Sequence, residues 1–336
     1  MYRNTIVALF ITICILLLSS IYAEPQFKGY LKPNVYVFCP EELWGGDVFY
    51  FNSSDVSIRI IRSGLLFRDY FDVLNTSRWT IISGEWTVKN GILECRGLEG
   101  DWSFIVLNIP FYTGIYQLKL NLTGNSKGGI SCIPSLDYVN EDPLYGDNVV
   151  FSIIAEASRN ITYNPPKGAV SSILTPRSKW FYLKIIYNSI NSRAYYSSTI
   201  YVDDEVFPVQ KRIETELCNT YLRIAVYGTE AMYVDEVSVC ESANITVTGL
   251  EPGLIVELID ENNRTVERKL SMSDKVVFNL EDYIFPLKGW RIRIVAPPLA
   301  IIYLEDMELV YPAGLNFTIS GNKTSCILKV SPNFPK

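Results

Sequence analysis

The chain has 336 residues, 48% of them hydrophobic and 13% aromatic, with 30 basic against 36 acidic side chains and a net charge of −6. That balance, with no basic block, repels a polyanion and excludes nucleic acid as a partner. The chain contains no histidine, which removes the commonest general base and zinc ligand together.

The first residues, MYRNTIVALFITICILLLSSIYAEPQ, carry Arg3 and then an uncharged run from Ile6 to Tyr22, with Ala23 ahead of Glu24 and Pro25. A basic start, an apolar middle and a small residue before a polar break describe a signal peptide over residues 1–23. Ile21 is bulky for its place three residues before the cut. The alternative is an uncleaved anchor, which is the one route to a membrane. Either way the protein is expected to be extracellular or on the cell surface. Cleavage leaves six cysteines, Cys39, Cys95, Cys132, Cys218, Cys240 and Cys326, and an even count in an exported chain suggests disulfides. Eight N-x-S/T sequons, at Asn52, Asn75, Asn121, Asn160, Asn244, Asn263, Asn316 and Asn322, describe a glycoprotein where the host has the machinery.

Residues 24–64 hold PNVYVFCPEELWGGDVFYFNSSDVSIRII, which reads as two or three strands around a Gly45-Gly46 turn, an N-terminal cap or part of a larger sheet. In SGEWTVKNGILEC, Trp86 and Val88 alternate along one strand, and Asn90-Gly91 supplies the positive φ angles of a tight hairpin before Ile92 and Leu93. A hairpin alone is marginal and needs a second sheet to cover it. GIYQLKLNL, FYLKIIYN, TYLRIAVYG, NITVTG and WRIRIVAP alternate in the same way, and turn signals recur at short intervals. The fold class is therefore all-β, a sandwich or barrel layout. The 313 residues left after cleavage exceed one sandwich, so two or three units are expected.

LFRDYFDVLNTSRWTIISGEWTVKNGILEC resembles the opening of concanavalin A-like (laminin G-like) jelly-roll domains: an acidic-aromatic pair, a Trp, then a G-x-W strand and an N-G turn. KWFYLKIIYNSINSRAYYSSTIYVDDEVF and YLRIAVYGTEAMYVDEVSV resemble later strands of the same domains. The resemblance spans residues 65–241 and implies a jelly-roll β-sandwich. After it, ANITVTGLEPGLIVELIDENNRTVERKL resembles an immunoglobulin-like β-sandwich over residues 242–312, and residues 313–336 give C-terminal strands and a Pro-rich tail.

Many concanavalin A-like folds are glycosidases with E-x-D-x-x-E on one strand, a spacing that sets two carboxylates on one face. The nearest match, EGDWSF, has Glu99 and Asp101 but Phe104 where the second glutamate belongs. Without histidine no Ser-His-Asp triad forms. The expectation is a protein that is not an enzyme, with a divergent glycoside hydrolase as an alternative. The resemblance also implies a structural calcium on Asp235 with Asp69 or Asp72, held through hard oxygen ligands; the other reading of Asp235 is a carboxylate facing solvent or satisfied by backbone amides.

If TYLRIAVYG and EAMYVDEVSVC form a hairpin centred near Thr229, Cys218 and Cys240 are equidistant from the turn and face each other, within reach of a disulfide. Cys95–Cys132 and Cys39–Cys326 then follow only by elimination. Sugar binding needs exposed aromatic faces beside hydrogen-bonding groups, and Trp102, Tyr138 and Tyr145 are the candidates, with packing as their other reading. Trp79, Trp86 and Trp180 fit strand patterns and belong to the core. The expected function is non-catalytic carbohydrate binding of a lectin-like kind. The partners are glycans or cell-surface proteins. The alternative is a structural or adhesive subunit whose strand edges self-assemble.

Overall fold

The computed structural model describes residues 26–28, 34–51, 58–62, 64–157, 161–163, 170–171, 179–203, 205–296, 299–304, 307–312, 315–322 and 325–332. The signal segment 1–23, Asn52 and Asn160 lie outside the described residues. The architecture is all-β. The larger unit is a jelly-roll sandwich of two sheets, which we call front and back. The front sheet runs Val170–Ser171, Ile161–Tyr163, Phe151–Glu156, Lys127–Ile133, Thr220–Tyr227, Trp102–Phe111, Trp79–Ile81. The back sheet runs Glu205–Thr215, Arg193–Val202, Phe181–Ile190, Gly114–Leu122, Ala231–Cys240, Ile92–Arg96, Glu85–Lys89, with Leu65–Asp69 also paired to Ala231–Cys240.

Local sequence explains the strands that begin this unit. Asn90 at φ 53° and Gly91 at φ 74° close the turn, and Lys89 pairs with Ile92 across it. Trp86 is buried and its Nε1 donates to Ser83 O at 2.6 Å. The space between the sheets is filled by rings in sequence-distant contact. Tyr116 meets Phe151 at 5.3 Å, and Phe151 meets Tyr187 at 4.9 Å. Each such ring contributes about 1.5–3 kcal/mol by leaving water. Trp79 and Trp86 lie in this core as expected, but Trp180 does not: it is half-buried with its ring centroid 5.7 Å from Lys119 Nζ.

One expected hairpin is absent. Thr220–Tyr227 belongs to the front sheet and Ala231–Cys240 to the back sheet, so the short link through Gly228 is an arch across the core. The physical reason is burial on both faces: every residue from Leu222 to Val226 and from Glu236 to Cys240 is buried. With no hairpin, Cys218 and Cys240 do not face each other. Cys240 lies opposite Ile115 in the back sheet, and both cysteines are free thiols, as are Cys39, Cys95 and Cys132.

The smaller unit is also a sandwich, and its strands come from both ends of the larger one. One sheet runs Asn34–Phe38, Arg291–Ala296, Ile255–Ile259, Thr265–Leu270, and the other Lys275–Asn279, Asn244–Thr248, Val48–Phe51, Ile58–Arg62. Val48–Phe51 and Asn244–Thr248 pair in parallel, with Val48 opposite Thr246. The strands within residues 34–51 and 58–62 are thus part of this sandwich rather than a separate cap, and the jelly roll is inserted between its strands. Leu299–Leu304 and Met307–Pro312 form a three-stranded sheet with Gln26–Lys28 instead of extending it. Asn316, Asn322 and Cys326 fall on the C-terminal hairpin of Leu315–Asn322 with Ser325–Pro332.

The entry and exit of the inserted unit are clasped together. Glu241 N donates to Gly64 O at 2.7 Å, and Gly46 N donates to Asn244 O at 2.5 Å. Asp47, 3% exposed, accepts from Trp44 N at 2.8 Å and from Gly64 N. Burial raises its carboxyl pKa, opposed by those two backbone donors.

Candidate binding cleft

The outer face of the back sheet is polar in sequence yet buried in the structure. Gln117, Lys184, Ser198, Glu236 and Ser238 are all under 9% exposed. A buried polar group needs a partner: the smaller sandwich supplies it to Gln117 and Lys184 through the segment 281–285, Glu236 is paired by Arg68, Ser238 Oγ accepts from Gln117, and Ser198 Oγ has none among the described residues. Gln117 Nε2 donates to Phe285 O at 2.7 Å, and Phe285 N donates to Gln117 Oε1 at 2.9 Å. Lys184 Nζ donates to Glu281 O and Tyr283 O, each at 2.5 Å. Tyr201 OH donates to Glu281 O at 3.3 Å. Burial lowers the Lys184 ammonium to about 8.

Beside this docked segment a cleft of about 710 Å³ opens between the two sandwiches. Its aromatic lining is Tyr182 and Tyr201 from the jelly roll and Tyr283 and Trp290 from the smaller sandwich. Tyr283 and Trp290 stack edge-to-face at 5.0 Å. Tyr182 is half-buried, and burial with the nearby Glu236 pushes its phenol up to about 12. Arg68 also lines the cleft. Its Nε donates to Glu236 Oε1 at 2.9 Å and its Nη1 to Glu42 Oε2 at 2.9 Å. The guanidinium lies 4.1 Å from the Tyr70 ring centroid and 5.0 Å from that of Trp44. Its Nη2 is buried with no acceptor among the described residues. Burial raises the Glu236 carboxyl pKa, and Arg68 opposes the shift.

The cleft continues. A second hollow of about 410 Å³ shares Val206 and Asp282 with the first, and a third of about 430 Å³ shares Ile186, Asn188, Ile190 and Glu281 with the second. These adjoining hollows, here called the groove, share residues of the docked segment, which the hydrogen bonds just described hold in place.

The residues singled out from sequence lie elsewhere. Trp102 is 8% exposed on the outer face of the front sheet, 5.3 Å from the Tyr227 ring and under Leu144. It cannot offer a ring face. The loop holding Tyr138 and Tyr145 folds over that sheet and is pinned by Arg223, whose Nη1 donates to Val139 O at 2.8 Å and Nε to Ser131 Oγ at 3.1 Å. Tyr138 is half-buried and Tyr145 is 69% exposed. The three aromatics do not form one platform.

Nor do the acids suit calcium. Gly114–Leu122 skips from Lys119 opposite Glu236 to Leu120 opposite Val234, so Asp235 is the extra residue of a β-bulge. That bulge separates Asp235 from the core face of Val237 and Val239. Lys119 Nζ lies 2.7 Å from Asp235 Oδ2 and already neutralises it. Asp69 accepts from Phe71 N at 2.8 Å and Trp79 Nε1 at 2.9 Å, and Asp72 is exposed. Among the described residues no group of three or more His, Cys, Asp or Glu gathers as a metal site. Of the described sequons, Asn75, Asn244 and Asn263 are exposed, while Asn121 keeps a buried Oδ1 with no hydrogen-bond partner among the described residues.

The residues of the cleft come from Arg68, Tyr182, Tyr201, Glu236 and the stretch Asp282–Trp290, so no single motif announces it. The one local signal is EDYIFPLKGW, where acids and aromatics crowd around a proline.

No protein-family model matches the chain, and no curated relative does. Solved structures similar to it include a carbohydrate-binding module, CBM66, from Bacillus subtilis, at 14% identity and a TM-score of 0.34, covering 48% of this chain and 94% of that one. The catalytic domain of LamA from Zobellia galactanivorans matches at 11% identity and a TM-score of 0.35, over 52% of this chain and 97% of that one. The laminarinase from Rhodothermus marinus matches at 12% identity and a TM-score of 0.37, over 52% of this chain and 96% of that one. At these values they carry no argument about ligand or reaction, and the fold rests on the sheet order above.

Proposed function

We propose that this is a non-catalytic glycan-binding protein of the cell exterior, whose ligand lies in the groove between the two sandwiches. The observation that carries the reading is the row of adjoining hollows, whose largest member is lined by the half-buried rings Tyr182 and Tyr283, one from each unit, beside carboxylates. Sugar rings pack their C–H faces on aromatics while carboxylates accept their hydroxyls.

The non-catalytic part is weighed at both places: in the groove Glu236 is ion-paired with Arg68 at 2.9 Å and Asp260 accepts from two backbone N–H groups, and the described front-sheet strands offer no carboxylate pair. Glycoside hydrolysis needs two carboxylates flanking one bond. The described front-sheet strands contain a single carboxylate, Glu156, 3.2 Å from Lys127 Nζ. Phe104, Ile154 and Ala225 on its outer face are buried with Leu144. Glu99 and Asp101 sit in an exposed turn, where Asp101 Oδ1 accepts from its neighbour Trp102 N at 2.7 Å.

The test is a glycan array probed with the purified full chain, followed by calorimetry of each hit with the Tyr182→Ala variant. Saturable binding that weakens about tenfold or more in the variant supports the reading. An array with no saturable hit from folded protein overturns it and favours an adhesive subunit.

A further inference from the structure

We infer that the groove selects glycans bearing protonated amines and rejects acidic ones; this rests on the glycan-binding reading above. Five carboxylate residues line its largest hollow, Asp203, Glu236, Asp260, Glu261 and Asp282, against two cations, Arg68 and Lys288. Arg68 is already matched, and Lys288 is exposed beside the carboxylate that Arg68 holds. Arg68 is ion-paired to Glu42 and Glu236, each at 2.9 Å, and Lys288 Nζ lies 4.0 Å from Glu42. A ligand carboxylate or sulfate brought to Arg68 therefore meets Glu236 at the same spot.

The remaining acids tip the groove negative. Asp260 and Glu261 sit on one turn, where Asp260 Oδ1 accepts from Asn262 N at 2.9 Å and Arg264 N at 2.7 Å. Asp203 has an exposed partner, Lys179, at 3.6 Å, and Asp282 is exposed on the docked segment. These acids share the hollow with the half-buried rings of Tyr182 and Tyr283. Carboxylates beside ring faces are the surroundings a protonated amine prefers, since both attract a cation.

The experiment compares three oligosaccharides of equal length on the full chain by calorimetry: a glucosamine oligomer, its N-acetylated counterpart and a mannuronate oligomer. The pH keeps the amines protonated. At low ionic strength the glucosamine oligomer binds about tenfold tighter than the acetylated one, and the mannuronate oligomer does not bind. Raising the salt narrows the first gap, because the attraction is screened. In Asp260→Asn/Glu261→Gln, one half-buried and one exposed position, the gap also narrows. Equal affinity for the amine and acetylated oligomers, or tighter binding of mannuronate, overturns the inference while the glycan reading stands. If none of the three binds but the array has other saturable hits, the inference again fails alone; if the array is silent too, both fail.

Discussion

Gln117 and Phe285 are joined by a reciprocal pair of hydrogen bonds, the amide Nε2 to Phe285 O at 2.7 Å and Phe285 N to the amide Oε1 at 2.9 Å. Gln117 is 1% exposed and belongs to the back sheet, while Phe285 belongs to the core of the smaller sandwich. One side chain therefore serves as a strand for the other unit's backbone, and the groove wall is set by it.

Gln117→Leu leaves a buried N–H and a buried C=O of Phe285 without partners. Each costs about 1–3 kcal/mol, so the variant loses about 3 kcal/mol of stability in denaturant titration. Gln117→Glu keeps an acceptor for Phe285 N but sets a carboxylate oxygen against Phe285 O. It is destabilised at neutral pH and recovers as acid protonates the carboxyl. Equal midpoints for all three proteins would show that the contact does not couple the units.

Lys184 makes the junction sensitive to alkaline pH. Its ammonium is held at about 8 in the folded protein against 10.5 in the unfolded chain. Below about 8 both states are protonated, and folding carries the full penalty of burying the charge. Between about 8 and 10.5 the unfolded state holds more protons, so stability rises with pH there. The span corresponds to about 3 kcal/mol. Cys240, Tyr201 and Tyr187 work in the opposite direction, since burial raises all three and their stabilising protons are lost at higher pH. The comparison with Lys184→Met isolates the lysine. Denaturation midpoints measured from pH 7.5 to 10 show the wild-type protein gaining on the variant as pH rises, and a constant difference would refute the assignment.

The clasp at residues 45–64 is tested by a glycine pair. A Cβ on Gly45 would stand 1.6 Å from Ser242 O, and that oxygen belongs to backbone that cannot swing away. Gly45→Ala separates the entry and exit of the inserted unit, with a loss of about 3 kcal/mol or more. Gly100, unlike Gly45, has a positive φ, 78°, and nothing lies within 4 Å of its Cβ position. Gly100→Ala carries only the backbone strain, about 1 kcal/mol. Thermal melts that rank the two variants the other way would remove the clasp from the account.

What could be read from sequence was local. Asn90-Gly91 declared its turn, and Trp79 and Trp86 declared their faces, because the chemistry that fixes them lies within a few residues. The arch at Gly228 was misread because a hairpin and an arch both need two strands and a flexible link. What separates them is burial on both faces, and alternation of side chains does not report that. Asp235 stayed open between two readings because one bulge residue shifts the period of two, so Val237 faces the core and its neighbour two places back does not. The groove was hidden for a third reason. It exists because Val48–Phe51 pairs with Asn244–Thr248 across the whole inserted unit, and that pairing brings the segment 281–288 onto Lys184 and Gln117.

The sequence and the structure nominate different aromatics for a ligand, and two substitutions separate them. Trp102 is buried on Tyr227 beneath Leu144, so Trp102→Ala opens a cavity and costs about 3–5 kcal/mol of stability. Whatever remains folded still has an intact groove and binds with unchanged affinity per active molecule. Tyr182 is half-buried at the cleft, so Tyr182→Ala costs less stability and removes a ring that a sugar stacks on. Its affinity for an array hit falls about tenfold, equal to about 1.4 kcal/mol. The readouts are the thermal midpoint and the calorimetric dissociation constant for each variant, the latter corrected for the fraction of active protein. Loss of affinity in Trp102→Ala with full affinity in Tyr182→Ala would return the ligand to the front sheet, because only a ligand seated there depends on that ring and not on the groove.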